Sequence, residues 1–187
     1  SALRTGVNTV SILVTAPSGA KKTYTVTVTV LKSSNTALTA LSVNGVDASA
    51  GGTVTLPVRT TVASVKAVTA DPETAVAVTG TALVEGSNTV VLTVTAPDGT
   101  VRTVNIPVYV TPLSTNTNLS VLKVNNVTVV DGGSIEVANR TVSVPVTATP
   151  ADAESVVAVT GNSALRTGVN TVSILVTAPS GAKKTYT

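Results

Sequence analysis

Residues 1–25 and residues 163–187 are the same peptide, Ser-Ala-Leu-Arg-Thr-Gly-Val-Asn-Thr-Val through Thr-Tyr-Thr, at an offset of 162 positions. An identity of that length is too long for chance. It reads as a window cut from a periodic polymer, with the cut made inside a repeat. A fainter period lies inside the long one. Leu41-Ser42-Val43-Asn44-Gly45 returns as Leu122-Lys123-Val124-Asn125-Asn126, Gly51-Gly52 as Gly132-Gly133, and Ala77-Val78-Thr79-Gly80 as Ala158-Val159-Thr160-Gly161, each 81 positions on. Gly86-Ser87-Asn88-Thr89-Val90 then matches Gly168-Val169-Asn170-Thr171-Val172 at 82, one residue having entered the preceding loop. The polymer therefore alternates two related domains of about 81 residues, and the pair of 162 is its true repeat.

The residues between these markers alternate. Val10, Ile12 and Val14 point one way while Thr9, Ser11 and Thr15 point the other; Tyr24, Val26, Val28 and Val30 share a face opposite Thr23, Thr25, Thr27 and Thr29. That is the period of a strand with one core face and one wet face. The chain holds 38 Val and 35 Thr, β-branched residues that suit a pleated surface and resist a helix. Between the two strands, Ala16-Pro17-Ser18-Gly19 supplies Pro for a type I turn and Gly for the left-handed position that closes a hairpin. A complete domain follows, with strands predicted over 38–43, 54–58, 62–69, 75–78, 88–96 and 102–110, a spacing that indicates a sandwich. Pro107 marks the last of these as at least partly an edge strand.

The predicted fold is all-β, with tandem immunoglobulin-like sandwich domains in an extended, periodic array. Residues 1–32 are the C-terminal half of one domain, 33–113 a complete domain, and 114–187 a domain lacking its final strand. Leu31-Lys32-Ser33-Ser34-Asn35 and Pro112-Leu113-Ser114-Thr115-Asn116 are short polar joints. Either the chain continues as one long polypeptide, which is the expectation here, or separate chains join by strand complementation. Complementation has to contend with a neighbour's residues 1–25 competing for the place already held by residues 163–187.

Composition narrows the function. Mean hydropathy is +0.44 with 43% hydrophobic and 11% charged residues, which predicts a folded, soluble chain and no bilayer-spanning run. Cys, Met, Trp, Phe, His and Gln are absent, which removes disulfides, thiol chemistry and the commonest general base and metal ligand. A net charge of +3 with Lys21-Lys22 and Lys183-Lys184 as the only adjacent basic pairs reads as solvated hairpin tips; a nucleic-acid surface wants a basic stripe and stacking aromatics.

No catalytic, cofactor-binding or metal residue is assigned. The closest carboxylates, Asp71 with Glu73 and Asp152 with Glu154, occupy equivalent loops, but calcium takes six to eight oxygens and no Asp-x-Asp-x-Asp run exists. Asn118, Asn126 and Asn139 open Asn-x-Ser/Thr tripeptides, of which about three arise by chance in a chain with 12 Asn and 52 Ser plus Thr. The row Thr25, Thr27 and Thr29 invites a lattice-binding reading, yet Leu13 interrupts Ser11 and Thr15 on the facing strand. An internal Lys–Asn isopeptide bond would want an aromatic-lined core, and Tyr24, Tyr109 and Tyr186 are the only aromatics. Tyr24 and Tyr186 are predicted core anchors of their complete domains, with phenolic oxygens that reach polar partners, although residues 1–32 alone would leave half a core wet; Tyr109 is predicted to point outward.

Leu119 with Val124, then Val146-Thr147-Ala148-Thr149-Pro150-Ala151-Asp152, Gly168-Val169-Asn170-Thr171-Val172, Val176-Thr177-Ala178-Pro179-Ser180-Gly181 and Lys184-Thr185-Tyr186-Thr187, in that order, resemble the cadherin-like β-sandwich repeats found in tandem in large bacterial surface and secreted proteins. The resemblance covers nearly all of residues 117–187 and, more loosely, 36–111, where Val104 stands in the place of the Tyr. It implies an immunoglobulin-like sandwich serving as spacer or adhesive module and carries no catalytic residues. The expected function is a structural repeat of an extracellular or cell-surface fibre, stalk or filament, and not an enzyme. The alternative is an adhesive module recognising a glycan or a partner cell. Expected partners are neighbouring repeats of the same chain or like chains in a filament, with no nucleic acid and no membrane insertion in this segment.

Overall fold

The computed structural model describes residues 2–187, and these contain strands and turns but no helix. The chain divides into two compact units, Ser1–Thr111 and Pro112–Thr187.

The first unit opens with a hairpin of two ten-residue strands, β1 (Gly6–Thr15) and β2 (Lys21–Val30), paired from Gly6↔Val30 to Thr15↔Lys21 in a sheet of their own. Gly19 (φ 83°) takes the left-handed position foreseen for it, and its N–H donates to the Ala16 carbonyl (2.8 Å). The same turn recurs at Gly99 and Gly181. Seven more strands follow: β3 (Leu38–Val43), β4 (Val46–Asp47), β5 (Val54–Leu56), β6 (Val65–Thr69), β7 (Ala75–Thr79), β8 (Gly86–Thr95) and β9 (Val101–Val110). They form a three-stranded sheet, β4-β3-β6, and a four-stranded sheet, β5-β9-β8-β7, in which only the β5–β9 pair is parallel. Both sheets feed one core: Leu41 and Val43 from the first, Val54, Leu56, Val90, Leu92, Ile106, Val108 and Val110 from the second. That sharing of a core is consistent with a β-sandwich. β5 covers β9 only along Val108–Val110, so Pro107 sits where the outer edge of β9 is uncovered and a missing N–H breaks no ladder there.

The second unit repeats the plan with β10 (Leu119–Val124), β11 (Val127–Thr128), β12 (Val146–Pro150), β13 (Val156–Thr160), β14 (Ser173–Thr177) and β15 (Lys183–Tyr186), in two three-stranded sheets, β11-β10-β12 and β13-β14-β15. Its core is smaller, centred on Ile174, Val176 and Tyr186.

Several boundaries differ from those read in the sequence. The strand expected over 54–58 stops at Leu56, because Pro57 starts a turn closed by the Thr60 N–H. Val62 forms only an isolated bridge to Ala82 ahead of β6. The two-residue strands β4 and β11 were not foreseen. Each closes a hairpin over Asn44-Gly45 or Asn125-Asn126, whose four φ values are all positive (50°, 83°, 51° and 64°), the mark of a type I′ turn.

Tyr24 and Tyr186 occupy the same place in two copies of one peptide and differ in burial. Tyr186 is the anchor expected, 7% exposed, with its hydroxyl donating to the Thr117 carbonyl at 3.0 Å. Tyr24, in the same peptide, is 49% exposed. The difference lies in what faces the hairpin: β10 and β12 pack on Tyr186, and among the described residues no such sheet covers β1–β2. Tyr109 is part-exposed at 38%, as expected of an outward ring.

Tyr186→Ala should therefore lower unfolding free energy by roughly 3–5 kcal/mol, while Tyr24→Ala in the same chain should cost less than about 0.5 kcal/mol; paired denaturant titrations compare them. Asn126→Gly should copy the Asn-Gly turn of the first unit, remove a side chain from a left-handed position, and stabilise the second unit by a few tenths to about 1 kcal/mol in thermal unfolding.

Candidate functional site

Three structural devices recur between copies of the repeat. The first is an asparagine clamp at the start of the long hairpin. The Asn88 carboxamide accepts the Val84 N–H (2.9 Å) and donates to the carbonyls of Val84 (2.8 Å) and Gly86 (2.9 Å). Asn8 makes the same set with Arg4 and Gly6, and Asn170 with Arg166 and Gly168. The fixed Gly-x-Asn spacing noted in the sequence thus acts as a self-contained loop lock. The second is Gly80 and Gly161, with φ of 72° and 76°. A Cβ on Gly80 would stand 2.5 Å from the Thr89 carbonyl oxygen, and one on Gly161 would collide with that of Thr171, so only glycine fits.

The third device fastens the joints, and the sequence reading missed it. Ser33 accepts the Asp98 N–H on its carbonyl (3.1 Å) and the Asn35 N–H on its hydroxyl (3.2 Å), and that hydroxyl also hydrogen-bonds the Asp71 carboxylate. The Thr74 hydroxyl donates to the Asn35 carbonyl (2.8 Å). Ser114 repeats this with the Ser180 N–H (3.1 Å), the Asn116 N–H (3.2 Å) and Asp152, and Ser155 stands in for Thr74 at 3.1 Å. Each joint is tied at two loops of the unit it belongs to. The signal was present as Ser33-Ser34-Asn35-Thr36 recurring as Ser114-Thr115-Asn116-Thr117, at the same spacing as Asp71 and Asp152.

This accounts for the acidic pairs. Asp71 and Asp152 each use Oδ1 to accept the N–H of Glu73 or Glu154 at 2.9 Å, closing a turn. Their carboxyls are held below the ordinary value of 3.8, first by the serine hydroxyl of the joint and then by that backbone N–H. Asp47 and Asp98 are likewise lowered, by Ser49 and Thr100. Among the described residues no three His, Cys, Asp or Glu side chains gather as a metal site, and no helix is long and apolar enough to cross a membrane.

The other candidates stay apart. Asn118, Asn126 and Asn139 are exposed on separate loops or strand ends of the second unit. Thr25, Thr27 and Thr29 share the hairpin's outer face with Ser11, Thr9 and Val7, so the hydroxyl row is interrupted by valine as well as by Leu13. Lys184 lies with its Nζ 4.2 Å from the Tyr186 ring centroid, and Lys22 at 4.8 Å from Tyr24.

A cleft of about 740 Å³ lies in the second unit, lined by Leu122, Val124, Val137, Val144, Val172 and Ile174 among others. Beside it, residues 135–137 and 168–172 lie outside any strand, although their counterparts in the first unit are β5 and the first half of β8. Thr187 closes one end, its N–H donating to Asp131 Oδ1 (3.1 Å) and its carbonyl accepting the Gly132 N–H (2.7 Å).

No protein-family model and no curated protein matches the chain.

A carboxylate whose folded pKa is lowered contributes stability that is complete above its unfolded value near 3.8 and is lost as pH falls through the folded value. Thermal midpoints followed by circular dichroism should accordingly hold above pH 3.8 and fall below it, and the double variant Asp71→Asn, Asp152→Asn should show a smaller fall than the parent.

Proposed function

We propose that the chain is a structural repeat of an extracellular fibre, stalk or surface filament, in which immunoglobulin-like, cadherin-like sandwich domains serve as a spacer and scaffold. The single observation that carries this reading is the joint built twice. A flexible tether would be Gly/Ser-rich and free of fixed partners; here Ser33 with Asn35, and Ser114 with Asn116, are tied by the same hydrogen bonds in both copies. A chain that only needed to connect two domains would not need to reproduce that lock.

Three other features support it. The long strands β8 and β9 run ten residues each, giving about 33 Å of reach per domain. The exposed surface is dominated by Val and Thr with thinly spread charge. The residues that recur between copies, Asn88 with Asn170, Gly80 with Gly161 and Asp71 with Asp152, all bear on backbone geometry. In this reading the partners are neighbouring repeats or like chains, and the setting is outside the cell.

Small-angle X-ray scattering on the whole chain tests it. Domains following one another along an axis should give a maximum dimension of at least about 70 Å from two strand lengths and their joints, whereas a value near 45 Å would mean side-by-side packing and count against a spacer. Binding on a glycan array would favour the adhesive reading instead.

A further inference from the structure

The two units differ at one place in their cores. In the second, Tyr186 is a core residue, with Leu119 and Leu122 packed against the cluster it belongs to. Lys184 Nζ stands 4.2 Å from the ring centroid, and the hydroxyl donates to the Thr117 carbonyl at 3.0 Å. The first unit keeps the surroundings and drops the ring. Val104 stands in the place of Tyr186, with Leu38 and Leu41 for Leu119 and Leu122, Arg102 for Lys184 and Thr36 for Thr117.

The space is not refilled. A cleft of about 230 Å³ opens there, walled by Arg102 and Val104 from β9 and by Leu38, Ala40, Leu41 and Ala48. Arg102, Val104 and Ile106 alternate onto the same face of β9, the face that carries the core. Two neighbours that could have grown into the gap are smaller than in the second unit: Ala40 replaces Val121, and Ala48 replaces Val129.

We propose that this cleft binds a small phenol, seated where the second unit holds its own tyrosine ring. Leu38, Leu41 and Val104 give the ring apolar walls, and a cavity of about 150 Å³ with such a lining is already enough to admit benzene. The Arg102 guanidinium covers the ring face as Lys184 does that of Tyr186, a cation–π contact that favours an aromatic ring over an aliphatic one. The hydroxyl donates to the Thr36 carbonyl, a half-buried residue to which Val104 brings no donor. The same seat thus occurs filled in one unit, where it anchors the core, and open in the other, where it recognises a ligand.

The test is a phenol titration of the full chain, from about 0.1 to about 10 mM, the range expected for a ligand of so few atoms, followed by the Leu and Val methyl resonances. Saturable ring-current shifts should appear at Val104, Leu38 and Leu41 and be absent at Leu119 and Leu122. Val104→Tyr should abolish them. Ala40→Val, which supplies the residue of the second unit, should weaken binding at least about threefold by narrowing the cleft, and it decides the matter if the tyrosine variant does not fold. Arg102→Ala, and toluene in place of phenol, should each weaken binding by about 3- to 10-fold. A response to N-acetyltyrosinamide as well extends the ligand to a tyrosine side chain; a response to phenol alone confines it to free phenols. No saturable shift, an equal response in the second unit, toluene binding as tightly as phenol, or shifts unchanged in the folded variants would overturn the proposal.

Discussion

A strand exists only where a second backbone is there to hydrogen-bond with it, and this chain supplies its own control for that rule. Residues 6–15 and 168–177 are identical, yet the first set is strand from end to end and the second only over Ser173–Thr177. The missing five are those that pair with residues 26–30 in the first copy. Propensity, alternation, the asparagine clamp and the glycine turn are the same in both, so none of them is what makes residues 6–10 a strand. Residues 135–137, counterpart of β5, likewise lie outside any strand, and the core of the second unit is centred on Ile174, Val176 and Tyr186.

The same control separates local from long-range determinants. Several interactions reaching four residues or fewer survive the change of surroundings: the Asn8, Asn88 and Asn170 clamps, the Gly19, Gly99 and Gly181 turns, the Asx turns at Asp71 and Asp152. Burial does not survive it, because Tyr24 and Tyr186 differ only in whether a sheet some 60 residues away in sequence lies against them. The hairpin is thus a preformed element with a fixed register, and the sandwich core is an environment it enters.

How legible the fold was follows from this division. The alternation from Tyr24 to Val30 gave the faces correctly, and the turn at Pro17 was readable to the residue because its chemistry is local. The short strands β4 and β11 were hidden by length, two residues being too few for a period to appear. The joint network was hidden by distance, since Ser33 and Asp71, or Asn35 and Thr74, meet across more than 35 positions. Only the repeat itself could have exposed it, by returning all four residues at one spacing. Tyr24 and Tyr186 illustrate the complementary point: a face that alternates says which side is apolar, and nothing about whether anything covers it.

A chain with several near-identical strands carries a hazard, in that any of them can pair with the wrong neighbour or at the wrong register. Alternating Val and Thr offers little resistance, because a two-residue slip returns the same faces. The polar punctuation limits the slip. Each hairpin is pinned at the turn end by a left-handed glycine and at the open end by the asparagine clamp, with ten pairs between them in the fully paired copies. A wrong register would have to break a clamp or force a non-glycine residue into a left-handed position, each costing of order 1 kcal/mol or more. Pairing is thereby confined to the native register, which keeps the same valine face turned to the core.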